Sequence, residues 1–125
     1  MQIPISEPMP TSVRVGTVTY RITDDRDEWV RFEYGMRRSG DFGHTDNGAA
    51  TIFLNPDHGG DVQRQTLWHE VLHAAHWTVM GSPNWQGLGE DNDSREETVI
   101  KMWEHPTLAV LRDNPALVRY LMGDA

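Results

Sequence analysis

A run of nine residues, Thr66-Leu67-Trp68-His69-Glu70-Val71-Leu72-His73-Ala74, restricts what this chain can become more than any other part of it. It contains His-Glu-x-x-His. Two imidazoles four residues apart come within reach of one ion on an α-helix, where i and i+4 stand about one turn apart on one face. Glu70 falls roughly a hundred degrees further round, where its carboxylate can meet a water held by those nitrogens. The pattern is that of zinc hydrolases, with two ligands and a general base on one and a half turns. A helix is therefore predicted from about Val62 to Met80, with Asp61 as its N-cap and Gly81 as its C′ residue. With His69 at zero degrees, His73 and His76 lie within about forty degrees of it. Leu67, Trp68, Val71, Leu72, Ala75 and Val79 fill the opposite arc, so the helix is half core and half site.

The chain has no cysteine, so histidine and carboxylate must supply any metal ligands. A hydrolytic zinc takes three protein ligands and keeps one position open. His69 and His73 are two. His76 stands about 10.5 Å along the axis from His69, too far for one straight helix to bring all three to one ion, and it reads as a supporting or surface residue. The next predicted helix, Arg95 to about Arg112 with Ser94 as cap, opens with Glu96 and Glu97. Its inward face is expected on Ile100, Trp103, Thr107 and Leu111. Glu96 lies about thirty degrees off that face and Glu97 about seventy, so the wheel alone slightly favours Glu96. Glu97 has a second reading, as partner of Ser94 in a capping box. His44, His58 and His105 read as loop or surface histidines. His44, Tyr20, Tyr34 and Tyr120 are candidates for steadying an oxyanion, and the sequence does not choose among them.

The remaining elements follow from alternation and breakers. Ser12 to Ile22 reads as a strand with a slip at Gly16-Thr17, and Val30, Phe32 and Tyr34 as a second strand. Asp24 to Glu28 is an acidic turn or a short helical start, and Arg37-Arg38 a solvated loop. Phe42 to Asn55 is a hairpin turning at Asp46-Asn47-Gly48. Asp113-Asn114-Pro115 ends the second helix, and Ala116 to Met122 forms a short third one. The sum is one α+β domain over 12–122, a small, mostly antiparallel sheet packed on the His-Glu-x-x-His helix. An extended arm over 1–11 precedes it, with Pro4, Pro8 and Pro10. The net charge of −8 argues against a general nucleic-acid binder and against anionic membranes. No apolar run approaches a membrane span and no signal-peptide pattern is visible, so the expected setting is cytoplasmic.

Several segments together resemble a known family. Gly43-His44-Thr45-Asp46, Thr51-Ile52-Phe53-Leu54-Asn55-Pro56, the His69-Glu70-Val71-Leu72-His73 run, Glu96-Glu97 and Leu111-Arg112-Asp113-Asn114-Pro115 look like the minimal, single-domain zincins of the gluzincin, thermolysin-like kind. They are similar in particular to small metallopeptidase-like proteins of phages and actinobacteria. The resemblance implies one zinc ion per chain and a third ligand from the helix after the motif. By position it favours Glu97, with Glu96 the alternative. It also implies that the strand nearest the site, Thr51 to Asn55, takes substrate backbone by strand addition. The expected activity is peptide-bond hydrolysis, on a peptide or protein substrate that extends to a single dedicated partner protein. The alternative is a non-catalytic phage accessory protein that uses zinc to hold its fold and binds a partner.

Overall fold

A computed structural model describes residues 8–123 of the chain. The described residues form an α+β fold, a small mixed sheet of four strands with four helices. In chain order these are β1 (Ser12–Val15), β2 (Val18–Thr23), α1 (Arg26–Met36), β3 (Gly43–Asp46), β4 (Thr51–Leu54), α2 (Gly60–Thr78), α3 (Asn92–Asp113) and α4 (Pro115–Met122), with a 3-10 turn at Trp85–Leu88 before α3. The sheet runs β1-β2-β4-β3. β1 pairs with β2, and β3 with β4, antiparallel, while β2 and β4 are parallel. Of the arm expected over 1–11, residues 1–7 lie outside the described part. The rest has no regular structure, but Met9 packs against the core and the Thr11 carbonyl accepts from the Ile22 N–H at 2.9 Å.

The slip at Gly16-Thr17 is a turn between two strands, not a bulge within one. Val15 pairs with Val18, and Gly16 takes φ +61, at the position where a tight two-residue hairpin turn calls for glycine. Alternation is thereby preserved on both sides. Val13, Val15, Tyr20, Ile22, Ile52 and Leu54 all lie on one sheet face and are 5% exposed or less. That face meets Leu67, Val71, Ala74 and Ala75 of α2 and Val110, Leu117 and Tyr120 of α3 and α4. Each large side chain buried there contributes about 1.5–3 kcal/mol.

The strand expected at Val30-Phe32-Tyr34 is instead helix α1. Val30 is 53% exposed and Tyr34 87%, so their alternation buries nothing. The helical face is the one that packs: Trp29 is 2% exposed and its ring lies 5.0 Å from that of Phe32. Phe32 in turn stacks on Phe53 and His44 of the sheet. Asp25 caps the helix by accepting from the Glu28 N–H at 3.0 Å.

Two other caps move. The N-cap of α2 is Gly59, with Asp61 inside the first turn, where its charge favours the helix dipole. α3 begins earlier than expected because Asp91, not Ser94, accepts the capping hydrogen bond, from the Ser94 N–H at 2.7 Å. Gly81 still turns the chain, at φ +70, but α2 ends at Thr78 with Val79 as C-cap, so the glycine stands one residue past the C′ position expected for it. The Ser82 N–H donates to the His76 carbonyl at 2.8 Å across this turn. Asn114 ends α3 as expected and does more. Its amide accepts from the Arg14 N–H and donates to the Arg14 and Val110 carbonyls, which fastens the helix end to the outer edge of β1.

β4 is an interior strand, paired with β2 on one side and β3 on the other. The expectation that Thr51 to Asn55 takes an added strand is therefore corrected. Its backbone is already used, and β3 is the sheet edge on that side.

On the α1 face, Glu28 accepts from both Arg21 guanidinium nitrogens, at 2.7 and 3.1 Å, and from the Thr23 hydroxyl. The Arg21 hydrogen bonds come first among the causes that hold its carboxyl at about 2, below the usual 4.5. Because the folded value is depressed, this contribution to stability is complete above the ordinary value and is lost as pH falls towards about 2. Thermal unfolding should therefore show wild type more stable than Glu28→Gln at neutral pH, with the gap closing between 4.5 and about 2. A gap that does not change with pH would refute this.

Candidate metal centre

Helix α2 places its buried stripe on Thr66, Leu67, Glu70, Val71, Ala74 and Ala75. His69 and His73 lie on the opposite side and are exposed. Their Nε2 atoms point at each other across 3.1 Å, with ring planes at 71°. A tetrahedral ion bonded at about 2.0–2.1 Å to each would set the two nitrogens roughly 3.3 Å apart. The pair thus has the bite that one zinc requires. Neutral imidazoles with complementary tautomers would also tolerate this distance as a hydrogen bond.

Glu70 sits at the border of the two faces and is 6% exposed. The Thr45 hydroxyl on β3 lies 2.9 Å from Glu70 Oε1 and 3.0 Å from the Glu70 carbonyl oxygen, so its one proton is shared between the carboxylate and the helix that carries it. Gly43 makes this approach possible. A Cβ there would stand 2.8 Å from Thr66 Cγ2, 3.0 Å from the Phe53 carbonyl oxygen and 3.3 Å from Glu70 Cγ.

Three depressions meet at His69 among the described residues. A cleft of about 470 Å³ runs past His69, Glu70 and His73 to His44, Asn47 and Trp77. A groove of about 460 Å³ leads the other way, past Phe42, Val62 and Gln65. An apolar pocket of about 350 Å³ opens beside the pair, between Leu72, His76, Trp85 and Trp103. A larger depression, about 690 Å³, lies at the end of α1 by Tyr34 and Arg37 and contains none of the motif residues.

The other predicted residues divide clearly. Glu97 is exposed and lies 3.8 Å from Lys101, and the expected Ser94 capping box does not form. Glu96 is also exposed. Among the described residues no three His, Asp or Glu side chains are grouped to share an ion, so neither glutamate stands with the histidine pair in this arrangement. The expected inward face of α3 is shifted: Ile100 is 49% exposed, whereas Val110 is buried. His76 is not a member of the pair either. Its ring stacks on Trp85 and Trp103, and its Nε2 is buried without a hydrogen-bond partner. Sequence reasoning missed this aromatic wall, because Trp85 lies in a loop and has no periodicity to mark it.

Of the candidates for steadying an oxyanion, the tyrosines are elsewhere. Tyr20 donates to Asn47 Oδ1 and shares a 2.6 Å contact with the Thr78 hydroxyl inside the core. Tyr34 is on the exposed side of α1, and Tyr120 donates to Gln63. His44 lines the cleft, yet its ring stacks on Phe32 at 4.8 Å, on the α1 side of the sheet. His58 lies edge-on to Phe42 at 4.3 Å, and His105 is exposed beside Glu104. Arg38 pairs with Asp41 at the cleft mouth.

Comparison with protein-family models, curated proteins and solved structures finds no match to the chain. No described helix is long and apolar enough to cross a membrane.

Gly43→Ala tests the close approach of β3 to α2. Because one obstacle is the Phe53 backbone, the added methyl should destabilise by roughly 1–3 kcal/mol through overpacking, measured by denaturant unfolding. An unchanged or increased stability would mean that the two elements are not held this tightly.

Proposed function

We propose that this protein is a zinc-dependent peptidase of the zincin type, with His69 and His73 as metal ligands and Glu70 as general base. The observation that carries this reading is the convergence of two exposed imidazole nitrogens, 3.1 Å apart, beside a buried carboxylate in an open cleft. Bound there, zinc would supply Lewis acidity to a water and a substrate carbonyl. His69 and His73 would supply two of the three protein donors that a hydrolytic zinc takes. A carboxylate of α3, Glu97 or Glu96, is the proposed third.

The chain's own residues supply the rest. Glu70 takes a proton from water at its carboxylate and returns it to the departing amine. Thr45 engages Oε1, which fixes the carboxylate's rotation and leaves Oε2 for the water. The edge of β3, Gly43–Asp46, borders the same cleft and has no strand paired on its outer side among the described residues. An extended peptide adding there would lie beside His69 and Glu70.

The alternative is a zinc-stabilised, partner-binding protein without activity. A structural zinc is enclosed by four ligands, whereas both histidines here are exposed to the cleft. That exposure, and a base held in position by Thr45, support the hydrolase.

Purified protein should hold one zinc per chain, lost in His69→Ala and His73→Ala, as read by metal analysis. Comparing Glu97→Ala with Glu96→Ala for zinc affinity identifies the third donor. In a proteome-wide profile of new N-termini, Glu70→Gln should keep its zinc and lose roughly 10²–10⁴-fold in cleavage rate. Thr45→Val should lose roughly ten- to a hundredfold, with most of the rate restored in Thr45→Ser. Full cleavage by Glu70→Gln, or no zinc bound by wild type, refutes the proposal.

A further inference from the structure

The pocket between α2 and α3 has a composition that the reaction does not require. Its lining is Leu72, His76, Trp85 and Trp103, together with His69 and His73 themselves. We infer that this pocket seats an aromatic side chain of the substrate, next to the bond that is cut. The assignment of a peptide as substrate rests on the peptidase reading above.

Three observations carry the inference. The first is continuity. Because His69 and His73 form one wall, a group seated in the pocket lies directly beside the reacting pair. The second is charge. The lining contains no Asp, Glu, Lys or Arg, so a charged side chain would lose its water without gaining an ionic partner. The third is ring orientation. The His76 plane lies at 22° to Trp85 and at 16° to Trp103, with centroids 5.4 and 6.3 Å away. A wall of near-parallel rings offers a planar side chain face or edge contact that an aliphatic one cannot match. Trp85 is 43% exposed on a four-residue 3-10 turn, so an indole beside the histidine pair still has apolar surface to cover. The volume of about 350 Å³ accommodates a single aromatic side chain.

The test is equilibrium binding, kept separate from cleavage. N-acetyl-phenylalaninamide is titrated into zinc-loaded and into chelator-treated protein, and the indole N–H resonances of Trp85 and Trp103 are followed by NMR. Saturable shifts are expected in both forms, with N-acetyl-leucinamide binding roughly two- to tenfold more weakly. Trp85→Ala should weaken binding of the phenylalanine amide by a similar factor. Trp103→Leu, which keeps apolar bulk and removes the ring, should do the same. Trp85 lies on an exposed turn, so its variant remains informative if the Trp103 variant does not fold. No saturable binding overturns the inference. So does equal affinity for the leucine amide, or unchanged binding in the variants. If the amide binds as expected but the protein cleaves no peptide, the peptidase reading falls and the aromatic pocket stands. Cleavage without preference for an aromatic residue would overturn the pocket alone.

Discussion

The packing of α2 onto the sheet is the constraint on which the rest depends. Leu67, Val71, Ala74 and Ala75 are almost completely buried against Ile22, Ile52 and Leu54. Once that stripe is fixed, helical geometry leaves His69 and His73 no direction but outward. Glu70 is then held at the boundary, its stem against the sheet and its carboxylate at the cleft. The small residues at this contact matter as much as the large ones. Gly43 lets β3 come close enough for the Thr45 hydroxyl to reach Glu70, so the position of this carboxylate is set by a neighbouring strand as well as by its own helix.

Legibility in the sequence followed the range of the interactions. The motif helix, the β3–β4 hairpin, the break at Asn114 and the short final helix were all readable, because each is written in local spacing, turn residues or proline. α1 was not, since Val30, Phe32 and Tyr34 alternate like a strand while the residue that buries is Trp29, with Phe32 half-buried beside it. Only its start was legible, as the acidic turn or short helical start over Asp24 to Glu28: Asp25 followed three residues later by Glu28 is a helix-start pattern. The parallel pairing of β2 with β4 was also hidden, because a crossover through α1 and β3 leaves no mark in either strand. It is this pairing that makes β4 interior.

The candidate site divides the same way. His69, Glu70 and His73 lie within one turn and a half of helix, and their juxtaposition follows from helical periodicity alone. The proposed third donor, the wall of Trp85 and Trp103 and the hydroxyl of Thr45 all come from other elements. Their distances to the motif depend on how α3 and β3 dock, which no local pattern encodes. For this reason helical periodicity marks the inward face of α3 only in part. Of Ile100, Trp103, Thr107 and Leu111, Trp103 does pack on the core, whereas Ile100 is exposed and the helix is anchored at Val110 and through Asn114.

Asn114 gives the sheet an asymmetry of its own. By accepting from the Arg14 N–H and donating to its carbonyl, one side-chain amide does for β1 what a neighbouring strand would do. Exposed strand edges invite pairing with other chains. Here one end of the sheet is stoppered by a residue nearly the whole chain length away, and the other end borders the histidine pair. The junction of the last two helices thus covers an edge position on which another chain could otherwise pair. A chain clipped before Asn114 would lose Leu117 and Tyr120 from the core together with that stopper, and would present a bare strand at the wrong end.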